Sequence, residues 1–317
     1  MLDYFSFIIT MIYGGTNTLN EFLASLKSKW CGWDSLPPGF QFPVKELVAS
    51  LSYRGGLHKP TFFSIMKEIV SDLMVNINLN YKKYDEPYDH YIFENFFSEE
   101  LAKKLSNNFL EYENMDWFFY NNPIENKKAI SDWNKFPKET YQIFQYFCSI
   151  EFIDIIKQIT GVRNIYPDYG LHGGGWHMHG NGGNLNVHKD YSIHPKLLLQ
   201  RKFNLIVYLT EDWDVNWGGG LELWSHDAKN NKPLKLEKVV DCLYNRAILF
   251  DTTQNSWHGL PNYIKCPSEK FRKSMAVYYL TDLQDNIEDR PRALFAPRKE
   301  QETNQEILKI IEKRSKL

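Results

Sequence analysis

At Gly170 the apolar pattern of this chain changes period. Upstream, apolar residues recur at helical spacing. Downstream they come in short runs of strand period, over residues 172–179, 184–191, 203–210, 221–225, 246–252 and 271–281, with Gly, Pro, Asn and Asp clusters between them. Many short strands punctuated by turns predict a sandwich or a double-sheet jelly roll, not a parallel sheet, which would need a helix between successive strands. The class expected is mainly β with flanking helices.

The helical part comes first. Thr18 and Glu21 form a capping box ahead of Phe22, Leu23 and Leu26, and amphipathic stretches follow at 44–51 and 61–75. Leu36-Pro37-Pro38-Gly39-Phe40 interrupts them. No catalytic constellation stands in this region, so residues 1–84 are expected to be a helical accessory region whose role the sequence leaves unknown. A polar segment at 80–90 marks the boundary. After it, Tyr91-Ile92-Phe93 leads into a helix capped by Ser98 and carried by Leu101, Leu105 and Leu110, and a second helix is expected over 138–160, ended by Gly161. The catalytic domain is placed at 85–298, with its jelly-roll core at about 170–282, and residues 299–317 form a charged tail with a helix on Ile307, Ile310 and Ile311.

Composition excludes more than it selects. A formal net charge of -2 over 317 residues gives no basic surface for nucleic acid. Cys31, Cys148, Cys242 and Cys266 are scattered and form no Cys-x-x-Cys pair, which argues against a zinc ribbon or disulfide scaffold and for reduced thiols in the cytoplasm. The apolar run at 4–13 lacks a basic leader and is too short to cross a bilayer, so no membrane partner is expected. Oligomeric state is not legible.

The chemistry concentrates in Asn184-Leu-Asn-Val-His-Lys-Asp-Tyr191. On a strand, Asn186, His188 and Asp190 share one face while Val187 and Lys189 share the other. An imidazole and a carboxylate on one face, with a second imidazole from elsewhere, make a two-His, one-carboxylate triad for a divalent metal; a solvated pair of side chains is the plainer alternative. His258, in Asn255-Ser-Trp-His-Gly259, is the candidate third ligand. Period two puts Arg272, Ser274 and Ala276 on one face of a later strand and Lys273 on the other, and it groups Asn204, Ile206 and Tyr208 on a third. An arginine with small neighbours has room to fork a carboxylate, and Tyr208 can add a hydrogen bond. An edge-strand cation and a core tyrosine are the alternatives for those two. His172, His177 and His179 are expected to line the pocket or face solvent. Gly218, Gly219 and Gly220 read as a turn or bulge, and Glu222 as facing either the cavity or solvent.

These stretches together resemble the prolyl 4-hydroxylase-like branch of the 2-oxoglutarate and Fe(II)-dependent oxygenases. The likeness is carried by Leu185-Asn-Val-His-Lys-Asp-Tyr191, Phe203-Asn-Leu-Ile-Val-Tyr-Leu-Thr210, Trp217-Gly-Gly-Gly-Leu-Glu-Leu-Trp224, Trp257-His-Gly259 and Arg272-Lys-Ser-Met-Ala-Val-Tyr-Tyr279, in order, over about residues 91–298. It implies a double-stranded β-helix in which His188, Asp190 and His258 hold iron. Arg272 and Tyr208 would hold the distal carboxylate of 2-oxoglutarate, with Asn204 a further candidate on the face of Tyr208. The implied cofactor is Fe(II), with 2-oxoglutarate and O2 as cosubstrates and ascorbate as an accessory reductant. The implied reaction hydroxylates an unactivated C–H bond and releases succinate and CO2. Asp190 stands where a halogenase lacks its carboxylate, and the long segment between His188 and Tyr208 departs from the family pattern. The substrate is expected to be a prolyl or other side chain of a peptide, or else a free amino acid, sugar or natural-product intermediate. A cupin-like metal isomerase or hydrolase and a non-catalytic barrel are the readings from other classes; neither requires Arg272.

Overall fold

The computed structural model describes residues 77–285 and 287–316. The elements expected at 4–13, 18–26, 44–51 and 61–75 lie outside them. The described chain begins in the sheet. Ile77 bridges to Phe97, and strand β1 (Tyr81–Tyr84) pairs antiparallel with β2 (His90–Phe93). The polar segment at 80–90 therefore contains a hairpin. Tyr91–Phe93 is strand where the entry to a helix was expected, because Tyr91 and Phe93 are buried and the other edge of β2 is taken by a second strand.

Helix α1 (Glu99–Asn107) starts where its sequence says, with Ser98 Oγ accepting from Leu101 N at 3.3 Å and Glu99 and Glu100 in the positive first turn. It stops before Leu110. An edge hairpin follows, β3 (Phe118–Asn122) and β4 (Glu125–Ile130), which the apolar pattern did not announce. The single helix expected over 138–160 is two, α2 (Lys138–Phe147) and α3 (Ile150–Thr160). The break falls at Ser149, whose side chain caps α3 by accepting from Phe152 N, an alternative to continuing the first helix. Gly161 ends α3 at φ +74°, as expected.

The remaining strands are β5 (Tyr166–Pro167), β6 (Gly175–His179), β7 (Asn184–Lys189), β8 (Gln200–Tyr208), β9 (Leu221–Asp227), β10 (Lys232–Val240), β11 (Ala247–Asp251), β12 (Trp257–Leu260), β13 (Arg272–Thr281) and β14 (Leu294–Phe295), and α4 (Gln305–Lys316) closes the chain. All pairings are antiparallel, in the order β1-β2-β11-β8-β13-β6-β4-β7-β12-β9-β10. Within it, β11-β8-β13-β6 and β7-β12-β9-β10 are two four-stranded layers whose strands alternate along the chain except for the consecutive pair β9 and β10. That is the double-stranded β-helix arrangement.

Alternation assigns the two faces of the first layer. Phe203, Leu205, Val207, Met275, Val277 and Tyr279 point outward and pack with Phe97, Leu105, Phe144, Phe147, Phe152 and Ile156 of the helical side. Tyr208, Ile248 and Phe250 point inward and meet Leu221, Leu223, Val240 and Leu260 of the second layer. Ile311 of α4 packs with Ile124 and Phe295, so the tail is bound to the domain. No described helix is long and apolar enough to cross a membrane.

Candidate active site

His188 is on β7 and Asp190 lies just past its end. On β12, His258 sits in register opposite His188, which explains how residues far apart in the chain meet. Their ring centroids are 4.4 Å apart. His188 Nε2 is 3.6 Å from Asp190 Oδ1, and His258 Nε2 is 3.8 Å from Asp190 Oδ2. One ligand atom from each of the three residues lies within 4.8 Å of the others, and all three residues are buried.

The surroundings decide how these side chains present themselves. The Nδ1 atoms of His188 and His258 face the carbonyls of Asn186 and Ser256, at 2.9 and 2.8 Å. A carbonyl only accepts, so Nδ1 donates and the Nε2 lone pair of each ring is left toward the centre. Asp190 Oδ2 is buried with no hydrogen-bond partner. Three electron-pair donors thus converge without donors of their own, which is costly unless a cation sits among them. Two imidazoles and one carboxylate suit Fe(II) with coordination positions left over. Burial, reinforced by the neighbouring His188, pushes the His258 imidazole down to about 4, so it is neutral and ligand-competent at physiological pH. Burial alone would raise the Asp190 carboxyl, but His188, His258 and Arg201 outweigh it and hold the group well below the usual range.

Behind the carboxylate stand Tyr278, on the face of β13 that carries Arg272, and Arg201, which alternation did not place there. Tyr278 donates to Asp190 Oδ1 at 3.3 Å, and Arg201 Nη1 lies 3.6 Å from the same atom. The Arg201 guanidinium is 3.4 Å from the ring centroids of both Tyr191 and Tyr278, and it donates to the carbonyl of His172. Counting by twos from Asn204 puts Arg201 on the outer face. The register shifts after Tyr279↔Phe203 to Leu280↔Arg201, leaving Lys202 unpaired, and this bulge turns Arg201 inward. The adjacent charges Arg201 and Lys202 at the start of the strand were the signal available; which of them turns inward was not.

Arg272 is buried on β13, opposite His179. Its Nε donates to the Gly219 carbonyl at 2.6 Å, Nη1 donates to Ser274 Oγ at 3.3 Å, and its guanidinium carbon is 4.9 Å from the Tyr208 ring centroid. It forms no ion pair among the described residues. Tyr208 is fully buried, its hydroxyl has no partner, and burial pushes that phenol up to about 12. Asn204, on the same face, has an unpartnered buried Oδ1. Lys273 points out of the barrel and donates to the Ser106 carbonyl at 3.0 Å, as the register requires. A buried arginine with guanidinium N–H groups to spare, beside the unpartnered Tyr208 hydroxyl, offers the donors that a small dicarboxylate would take. His179 adds two buried ring nitrogens without partners, and His177 lies on the same face. His172 is exposed and contributes its backbone. Among the described residues the only cluster arranged for a metal is His188, Asp190 and His258.

The glycine run also finds its place. Gly219 has φ +81°, and a Cβ there would lie 3.0 Å from Arg272 Cδ, so glycine lets the carbonyl reach the guanidinium. Glu222 is buried and accepts from Trp224 Nε1 and Asn262 Nδ2, both at 2.9 Å. Cys148, Cys242 and Cys266 are free and buried.

A sequence-family model described as the 2OG-Fe(II) oxygenase superfamily matches residues 174–288. No curated protein matches the chain. Among solved structures, it is similar to a prolyl-4-hydroxylase from Pseudomonas putida (15% identity, 68% of this chain and 98% of that one, TM-score 0.43). It is similar to a prolyl hydroxylase from Trichoplax adhaerens in complex with a hypoxia inducible factor oxygen degradation domain peptide fragment (16%, 70% and 94%, 0.42). A third is HygX from Streptomyces hygroscopicus with nickel, 2-oxoglutarate and hygromycin B bound (10%, 61% and 82%, 0.41).

Proposed function

We propose that this chain, whose residues 174–288 are a 2-oxoglutarate and Fe(II)-dependent oxygenase domain, is a dioxygenase that hydroxylates a peptidyl side chain, prolyl foremost. The observation that carries the chemistry is the convergence of one ligand atom each from His188, Asp190 and His258 in one buried cluster, with Asp190 Oδ2 unpartnered. Fe(II) held there, with 2-oxoglutarate and O2, supplies oxidative decarboxylation to succinate and CO2 coupled to oxygen insertion into a C–H bond.

The chain's own residues set the terms of that chemistry. His188 and His258 each give Nδ1–H to a backbone carbonyl, which leaves Nε2 as the ligand atom, and burial keeps the His258 imidazole neutral. Tyr278 and Arg201 engage Oδ1 of Asp190 and leave Oδ2 for the metal. Arg272, braced by the Gly219 carbonyl through Nε, keeps guanidinium nitrogens for the distal carboxylate of 2-oxoglutarate, and Tyr208 offers its hydroxyl. The apolar inner residues Leu221, Leu223, Ile248 and Phe250 keep bulk water from the chamber.

One observation favours a peptide as substrate. β3 pairs only with β4 among the described strands, so its outer edge is open, and Phe118 and Phe119 on it are exposed. β4 in turn pairs with β6 and β7, which carry the inner-face histidines. An extended peptide added along β3 would extend the sheet whose next strands, past β4, are β6 and β7. Anaerobic titration of the Fe(II)-loaded protein with 2-oxoglutarate tests the class, because a bidentate keto acid on Fe(II) gives a weak visible charge-transfer band. Absence of that band defeats it. Aerobic incubation with a peptide library, read by mass spectrometry for gain of one oxygen atom, tests the substrate; oxygenation of free amino acids alone would redirect it to a small molecule.

A further inference from the structure

We infer that the segment 288–301, which begins where the family match ends, is part of the metal centre, with Phe295 and Arg290 as positioning residues for His188 and Asp190. This rests on the reading that those two side chains hold the metal. One edge of β7 pairs with β12. On the other edge, β4 meets only Asn184 and Leu185, and Asn186 N then donates to the Ile124 carbonyl at 2.8 Å. From there β14 takes over, with Leu294 opposite Lys189, Phe295 opposite His188, and Ala296 N donating to the Val187 carbonyl at 2.8 Å. The metal-bearing half of β7 is therefore closed by chain from beyond the matched stretch.

The contacts reach the ligands themselves. The Phe295 ring stacks on the His188 imidazole, with centroids 5.1 Å apart and planes 26° from parallel. Phe295 is backed by Ile124 and Ile311, so the plate is itself held in place. With Nδ1 tied to the Asn186 carbonyl and one face covered, the imidazole can neither rotate nor tilt freely. Asp190 lies one residue beyond the end of β7. There Arg290 Nε donates to its carbonyl at 2.8 Å, while Arg290 and Ser192 exchange two further 2.8 Å bonds. Asn186, two residues before His188, is gripped by Gln301, Arg298 and the Ala296 carbonyl. Ligand geometry must be held to within a fraction of an ångström for a metal to bind well, and this segment supplies that restraint.

The test uses Co(II) as probe in the full chain under anaerobic conditions, following affinity and the d–d absorption spectrum beside the thermal midpoint of each metal-free protein. Phe295→Leu keeps apolar bulk but loses the flat face, Phe295→Tyr keeps the face, and Arg290→Gln removes the bond to Asp190. Phe295→Leu and Arg290→Gln are expected to bind Co(II) roughly tenfold more weakly with altered spectra. Phe295→Tyr should restore the wild-type spectrum. The inference is overturned if Phe295→Leu and Arg290→Gln match wild type in affinity and spectrum, or if weakened binding merely follows a lowered melting midpoint with Tyr no better than Leu. His188→Ala separates the two levels. If it still binds Co(II) like wild type, the ligand assignment itself fails; if it loses Co(II) while the positioning variants are silent, only this inference falls.

Discussion

The carbonyl of Gly219 accepts a 2.6 Å hydrogen bond from Nε of Arg272, and this bond aims the guanidinium without consuming its terminal nitrogens. Because a Cβ at Gly219 would press on Arg272 Cδ at 3.0 Å, the glycine and the arginine act as a unit. Arg272→Lys retains charge but cannot both bond Gly219 and fork a carboxylate. Loss of one charge-assisted hydrogen bond costs about 1.5–3 kcal/mol, so the 2-oxoglutarate constant should rise roughly ten- to hundredfold at unchanged metal affinity. Gly219→Ala should move the same constant in the same direction, and Lys273→Ala should leave it alone. Isothermal titration with 2-oxoglutarate on the metal-loaded protein reads all three.

Tyr278 touches the metal site rather than the cosubstrate site. Tyr278→Phe removes the donor to Asp190 Oδ1 and should weaken Fe(II) binding several-fold, in line with about 0.5–1.5 kcal/mol for one hydrogen bond. Tyr208→Phe is the mirror control and should affect 2-oxoglutarate but not metal. Paired metal and cosubstrate titrations on both variants check this; a reversed pattern would place the two tyrosines in each other's roles.

His179 gives a pH dependence whose sign follows from burial. Its folded-state pKa is lowered well below the ordinary 6.5, by burial first and by Arg272 second. Below 6.5 the unfolded chain therefore takes up a proton that the folded chain refuses, so stability is lost on acidification and is insensitive to this group at higher pH. The loss approaches about 1.4 kcal/mol per pH unit for one proton. Denaturant melts of metal-free protein between pH 7 and 5 should show a shallower decline for His179→Gln than for wild type, once the groups common to both are subtracted. Parallel declines would mean that His179 is protonated in the fold.

The accessory role proposed for the first 84 residues can be tested with its boundary adjusted to the sheet. A chain beginning at Ile77 keeps the Ile77–Phe97 bridge and the whole β1–β2 hairpin, and it should bind Fe(II) and 2-oxoglutarate like the full chain. A chain beginning at Asp85 loses β1 and uncovers one edge of β2, whose other edge pairs with β11. It should melt lower. Failure of the Ile77 chain to bind metal would make the earlier residues part of the catalytic core.

The sequence by itself determined the features that depend on local period and local chemistry. Alternation along Asn184–Lys189 put His188 and Asp190 on one face, the same rule sent Arg272 inward and Lys273 outward, and Ser98 and Gly161 capped the helices they were expected to cap. Tertiary structure decided whatever depended on which strand lies beside which. The β7–β12 register, not spacing in the chain, brought His258 to His188. A one-residue bulge at Lys202 reversed the direction of Arg201, and bulges leave no mark on a count by twos. Phe295 was one aromatic residue near the end of the expected catalytic domain until β14 paired with β7 and laid its ring on the His188 imidazole. Periodicity is a property of a single strand and can be read along the chain, whereas a binding site belongs to several strands at once and exists only when their register is set.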